Sequence, residues 1–284
     1  MPQPLIELGG NDNTPILSLA PANGFVPQTY IPLLRPFMES YKVVSTPPRA
    51  LWNEGAPPSL DANHSWEDFA KDMLVAYETF GLQDVVAVGH SIGGIMTILA
   101  ALERPEIFKA IIMLDPVIVP PEACAYMEEQ RAQGKPAHNK MAERASKRKP
   151  SFASIDEAFN NFHGKSIFAD WSDEVLRLYV EHGTQPCGDE RCLTWSPEWE
   201  AFYFSTYYTQ IWEALVKLPA LDVPMLFISG GDSDTFTPDS ARKVAELVTN
   251  ATHDSVLGYG HMFPQAAPQQ SAERIQKWLD SLLV

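Results

Sequence analysis

Ser91 stands in Gly89-His90-Ser91-Ile92-Gly93, a G-x-S-x-G spacing that mounts a serine hydroxyl on a tight strand-to-helix turn. Val85-Val86-Ala87-Val88 before it is apolar and mostly β-branched, the composition of a buried strand. After it, Ile95, Ile98, Leu99 and Leu102 recur at helical spacing until Pro105 ends the run. Strand and helix leave such a turn so close together that the residues two before and two after the serine must lack a Cβ, which accounts for both glycines. A serine hydroxyl is a poor nucleophile at neutral pH, so it needs a base within hydrogen-bond reach and a carboxylate to orient that base. His261, in the loop Gly258-Tyr259-Gly260-His261 after a late apolar strand, stands where the base belongs. His90 adjoins the serine, but the turn that exposes Ser91 points its neighbour elsewhere. His64, His138, His163 and His182 fall in loops or in an insert, and His253 precedes its strand. The backbone N–H of Ile92, at the start of the helix, is placed to bind an oxyanion.

These residues require a scaffold that brings distant loops to one end of a sheet, and the chain has its rhythm. Apolar runs at 5–8, 15–20, 41–45, 85–88 and 110–114 read as strands, and periodic stretches between the later ones read as helices. One such helix opens with Ser65-Trp66-Glu67-Asp68, a capping-box pattern, and closes at Gly81. The alternation predicts α/β architecture with parallel strands and right-handed crossovers. It stops near Val117 and resumes near Val223. The hundred residues between read as helical and carry 14 of the chain's 30 aromatics over 152–212, enough for an apolar wall over a site. Residues 131–149 hold seven of the 21 Lys and Arg against one acid, Glu143. That segment reads as a solvated helix or loop, with attraction of an anionic substrate or docking to a partner subunit as the sharper readings.

With 284 residues, 45% of them hydrophobic, the chain is long enough for one large α/β domain. A formal net charge of −15 excludes nucleic acid and anionic membrane surfaces as partners. No apolar run reaches the length of a bilayer span and the first residues lack signal-peptide form, so a soluble, cytoplasmic protein is expected. Three cysteines do not make a disulfide framework. Cys187 and Cys192, with His182 nearby, are expected as plain loop thiols rather than as a disulfide or a metal cluster.

At this point the chain resembles the α/β-hydrolase superfamily, specifically its lidded esterase-like and lipase-like members whose elbow reads G-H-S-x-G-G. The resemblance implies the α/β-hydrolase fold: a mostly parallel central sheet with helices on both faces and a helical lid inserted after the sixth strand. Residues 1–116 and 215–284 would form the core and 117–214 the lid. It also implies the order Ser91, acid, His261. The family pattern G-x-x-D-x-x-x-P falls on Gly231, Asp234 and Pro238, which nominates Asp234 as the acid, with Asp232 and Asp115 as alternatives. Relatives read H-G-F in the loop after the early strand, and here Asn23-Gly24-Phe25 would give the Phe25 amide as second oxyanion donor beside Ile92. The expected activity is hydrolysis of a carboxylic ester of a small to medium, largely apolar molecule through an acyl-enzyme, with no cofactor and no metal. An amidase, lactonase, C–C hydrolase, acyltransferase or non-catalytic receptor on the same fold remain alternatives, and a homo-oligomer is possible. A serine at the elbow argues against the epoxide-hydrolase and dehalogenase relatives, which carry aspartate there.

Overall fold

The computed structural model describes residues 4–52, 57, 65–133 and 140–282. The first half of the chain supplies β1 (Ile6–Gly9), β2 (Ile16–Ala20), the short helix α1 (Ile31–Leu34), β3 (Lys42–Ser45), α2 (Trp66–Thr79), β4 (Val85–His90), α3 (Ile92–Glu103) and β5 (Phe108–Leu114). Helices α4 (Pro121–Ala132), α5 (Lys140–Ser146) and α6 (Ile155–Phe162), with the two-residue β6 (Ser151–Phe152) before the last, begin the insert. It continues through α7 (Asp173–His182), β7 (Thr184–Cys187), β8 (Glu190–Leu193), α8 (Pro197–Ser205) and α9 (Ile211–Leu215). The sheet resumes with β9 (Met225–Gly230), α10 (Pro238–Leu247) and β10 (Thr252–Val256), and α11 (Phe263–Ala266) and α12 (Pro268–Ser281) close the described chain.

Alternation along the central strands explains the layers. Val85 and Ala87 of β4 pack into one apolar cluster with Ile111 and Met113 of β5, while Val86 and Val88 pack into a second with Ala110 and Ile112. Successive strand residues point to opposite faces, so both faces of the sheet are buried and both need a cover. Helices α2, α3 and α10 cover one face, and α1 and α12 the other. The sheet has seven strands in the order β1-β3-β2-β4-β5-β9-β10, parallel throughout except for β1 against β3. This is the expected doubly covered, mostly parallel sheet. The capping box of α2 is present as well: Glu67 N donates to Ser65 Oγ at 3.2 Å, and Ser65 N donates to Asp68 Oδ2 at 3.1 Å.

Two expectations change in the insert. It follows β5, the fifth strand of the described chain rather than the sixth, and it is not purely helical, because β6, β8 and β7 form a small antiparallel sheet in that order. Runs of two to four residues with Pro186 and Cys187 among them carry too little alternation to read as strands. Cys187 and Cys192, expected as plain thiols, form a disulfide between β7 and β8, with Cα atoms 5.8 Å apart. Five residues of separation left the pairing open in sequence; the hairpin register, Gln185 opposite Cys192 and Cys187 opposite Glu190, brings the two side chains within reach. Among the described residues no His, Cys, Asp or Glu cluster is arranged to hold a metal ion, and no helix is long and apolar enough to cross a membrane.

Under denaturing, non-reducing conditions a thiol-reactive dye should therefore titrate one cysteine, the buried Cys124, and three after reduction. Three reactive thiols before reduction would show that the hairpin is not cross-linked.

Candidate active site

The elbow takes the form its glycines require. Ser91 sits at φ +59° and ψ −122°, a conformation that residues with a Cβ rarely adopt. A Cβ on Gly89 would lie 2.4 Å from the Gly93 carbonyl oxygen, and one on Gly93 would lie 2.1 Å from that of Ala20. Neither position admits any other residue without moving backbone. His261 lies in the loop between β10 and α11, and its Nε2 is 3.0 Å from Ser91 Oγ. The structure thus brings together the two side chains singled out in sequence, 170 positions apart.

The carboxylate that meets His261 is not that of Asp234, the residue nominated from sequence. His261 Nδ1 lies 2.7 Å from Asp115 Oδ1, whereas Asp234 and Asp232 are both exposed to solvent. Asp115 follows the last residue of β5. Leu114 pairs with His90, so the next residue on β5 stands level with Ser91. Its carboxylate is fully buried. Besides His261 it accepts hydrogen bonds from Gly230 N at 2.7 Å, Ser233 Oγ at 2.6 Å and Phe236 N at 3.3 Å. The loop after β9 therefore turns Ser233 inward to hold Asp115, which sends the flanking Asp232 and Asp234 outward. Asp234 accepts from the adjacent Thr235 hydroxyl at 3.3 Å. A motif spacing shared by relatives pointed to Asp234; what separates the two candidates is which residue of the loop faces in.

The oxyanion donors divide in the same way. Ile92 is the first residue of α3, where an amide has no carbonyl of its own helix to bond. The Phe25 amide, expected as the second donor, donates to the Ala22 carbonyl at 3.2 Å and closes the turn 22–25. Gly24, at φ +82°, makes that turn possible. The Phe25 ring faces the insert and packs against Trp171 and Tyr179, each at 5.6 Å between centroids.

The insert closes directly onto this turn. Asn23 Nδ2 donates to the Glu200 carbonyl at 3.0 Å, and a Cβ on Gly24 would lie 3.1 Å from the Glu200 carboxyl carbon. Glu200 pairs with Arg148, which also donates to Tyr179 Oη at 2.5 Å. Burial raises the Glu200 carboxyl above its ordinary range and Arg148 counteracts it; Tyr179 and Glu200 hold the guanidinium charged although burial opposes that. The basic segment read from sequence is thus spent partly inside the insert: Arg148 on Glu200, Arg131 on the Tyr207 carbonyl at 2.6 Å, and Lys149 on Glu157. The aromatics of 152–212 largely pack on one another and on the core, as Tyr203 does on Phe69 and Tyr207 on Trp66. Of the other histidines, His163 pairs with Asp173 and His253, which lies within β10 rather than before it, meets the Val248 carbonyl; His64 and His138 fall outside the described residues.

Because Arg148→Met strands the Glu200 carboxylate in the interior, it should cost about 3–5 kcal/mol of stability. A urea midpoint unchanged from the parent would show that the pair carries no such weight.

A profile described as the alpha/beta hydrolase fold matches residues 44–264. Among curated relatives, (E)-2-((N-methylformamido)methylene)succinate hydrolase of Acinetobacter baylyi is 20% identical over 91% of this chain and 88% of its own. The sn-1-specific diacylglycerol lipase of Mus musculus is 25% identical over 79% of this chain and 67% of its own. The crystal structure of E-2-(acetamidomethylene)succinate hydrolase superposes with a TM-score of 0.72 at 17% identity, covering 97% of this chain and 94% of that one. With the profile spanning most of the chain and the parallel sheet carrying a serine elbow at its centre, this protein belongs to the α/β hydrolase fold family.

Proposed function

We propose that the protein is a serine hydrolase that cleaves a carboxylic ester through an acyl-enzyme, with Ser91 as nucleophile, His261 as base and Asp115 as the acid that orients it. The observation that carries this reading is the unbroken line Ser91 Oγ, His261 Nε2 at 3.0 Å, His261 Nδ1, Asp115 Oδ1 at 2.7 Å. Asp115 accepts from Nδ1–H and so leaves Nε2 as the lone-pair nitrogen facing the serine. His261 takes the proton as Oγ adds to the acyl carbon, and the resulting imidazolium is stabilised by the buried carboxylate. The developing oxyanion is received by the Ile92 amide, aided by the N-terminal end of α3. Phe25 can add a second donor only by giving up or sharing its bond to Ala22. His261 then returns the proton to the departing alcohol, and water repeats the sequence to release the acid. Residues 117–214 act as the cap of this site, and their aromatic content suits an apolar acyl or alcohol group.

A second reading has its own support: the Acinetobacter baylyi relative is named for a substrate with a formamido group, so C–N acyl cleavage uses the same side chains. Here the return of the proton by His261 matters more, because an amine or enamine leaves only when protonated.

On an activated aryl ester, Ser91→Ala should abolish turnover and labelling by a fluorophosphonate while leaving the fold intact. Asp115→Asn should lower kcat by about 10³–10⁴-fold, the scale seen when a triad acid is neutralised. Asp234→Asn should change it less than about threefold, since surface substitutions away from a site do little. Equal loss in the two variants, or labelling that survives without Ser91, would overturn the assignment. A matched ester and anilide pair separates the two readings: an ester preference in kcat/KM above about 100-fold, or some 2.7 kcal/mol, supports the ester, and near parity supports C–N cleavage.

Acidification supplies a further check. Protonated His261 cannot accept the serine proton, so kcat/KM should fall on acidification. A profile flat from pH 5 to 8 under chemistry-limited conditions would count against His261 as the base.

A further inference from the structure

Beneath the elbow runs a second chain of hydrogen bonds that the reaction does not use. Ala22 N–H donates to Tyr30 Oη at 2.9 Å, Tyr30 Oη lies 2.7 Å from His90 Nδ1, and His90 Nε2 lies 3.0 Å from the backbone carbonyl of His261. Tyr30 and His90 are both fully buried. The end groups fix the direction of the two outer bonds. A carbonyl only accepts, so His90 Nε2 must carry a proton. An amide N–H only donates, so Tyr30 Oη accepts from Ala22. With His90 neutral, Nδ1 is an acceptor and the Tyr30 hydroxyl donates to it, so a neutral His90 protonated on Nε2 makes all three bonds at once. Burial, and then the neighbouring His261, push His90 well below the ordinary histidine range, in keeping with that species. The titratable groups against its ring are Tyr30, from the turn before α1, and His261, whose ring centroid lies 5.0 Å away, with Asp115 on the far side of His261.

This chain touches three segments of the site. Ala22 begins the turn whose other end is Phe25, His90 immediately precedes Ser91, and the accepting carbonyl belongs to His261 itself. The base loop carries Gly258 at φ +79° and Gly260 beside the histidine, and Asp232 N ties it to the loop after β9 by donating to the Tyr259 carbonyl at 3.0 Å; at His261 itself the backbone tie is to His90. We propose that His90 is a positioning residue: a neutral Nε2–H imidazole, set in that tautomer by the His261 carbonyl at one nitrogen and the Tyr30 hydroxyl at the other, which ties the His261 backbone to the nucleophile strand and so holds the base at its distance from Ser91. This rests on the reading of Ser91 and His261 as nucleophile and base, and it assigns the otherwise idle histidine of the elbow a part in the reaction.

Two measurements on the full chain test it. In nitrogen-detected NMR of the histidine-labelled protein, the ring assigned by its loss in His90→Gln should be the Nε2–H tautomer and unchanged from pH 5 to 9. Tyr30→Phe removes the donor to Nδ1 but leaves the His261 carbonyl, so the Nε2–H tautomer should persist while the Nδ1 resonance shifts with the lost hydrogen bond. On an aryl ester, His90→Met should lower kcat by about 10–100-fold, the scale of a small misplacement of a reacting group, with KM within about twofold. His90→Gln retains an N–H able to reach the His261 carbonyl and should recover most of that loss. A ring that titrates near pH 6 or carries its proton on Nδ1 would overturn the proposal. So would His90→Met at parental kcat, or His90→Gln no better than His90→Met. If His90→Met does not fold, the tautomer and its response to Tyr30→Phe still decide. Fluorophosphonate labelling of the parent keeps the two failures apart: an unlabelled Ser91 sinks the serine-hydrolase reading, whereas a labelled Ser91 with the wrong tautomer sinks only this one.

Discussion

The buried carboxylate of Asp115 is the constraint on which the rest of the site depends. A charge with no solvent contact costs several kcal/mol to place unless its lone pairs are filled, and here four donors fill them: Gly230 N, Ser233 Oγ, Phe236 N and His261 Nδ1. Gly230 ends β9 and two of the other donors, Ser233 and Phe236, come from the loop after it, so that loop takes its shape from Asp115 rather than providing one. Asp115 N itself donates to the Ile228 carbonyl at 2.7 Å, continuing the β5–β9 ladder one residue beyond the strand. Asp115 is thus held between β4 and β9 by the sheet, and it orients the His261 ring while His90 meets the His261 backbone.

Such a site carries backbone strain that the core must offset. Ser91 at φ +59° and Asp115 at φ +42° face each other at the ends of adjacent strands, each in a conformation costing about 1–3 kcal/mol. Glycines permit the close approaches around them: Gly89 to Gly93 at the elbow, and Gly230, whose Cβ would lie 2.5 Å from the Gly260 carbonyl oxygen in the base loop. Each close approach brings one catalytic segment against the next. The two apolar clusters on either face of the sheet supply the burial that holds β4 and β5 rigid enough to sustain both residues.

Closure of the insert has the same logic at larger scale. Its helices join both clusters, α8 and α9 with one face and α6 and α7 with the other, so it straddles the end of the sheet that carries the serine. Glu200 meets Asn23 and Gly24 at the turn beside the site, and Ser91 keeps only 7% of its surface. A site so enclosed strengthens the electrostatics within it and excludes competing water. Before the glycine of this turn, the Asn23 amide spans to the insert.

Much of this was legible in the residues themselves. The elbow, its two glycines, Ser91, His261, the parallel sheet and the extent of the interruption all follow from local pattern: β-branched runs, helical spacing, and glycine where a Cβ cannot fit. Local pattern could not choose among Asp115, Asp232 and Asp234, because all three sit at strand ends in loops of similar composition. That choice depends on which loop residue turns inward, and Ser233 decides it by filling an Asp115 lone pair across 118 positions of sequence. The state of the Phe25 amide, the pairing of Cys187 with Cys192 and the path from Ala22 through Tyr30 and His90 to His261 are likewise tertiary facts. Each is a hydrogen bond or cross-link set by register and direction rather than by residue type. Residue types determined by themselves which chemistry the chain can perform; the packing of distant loops decided which groups carry it.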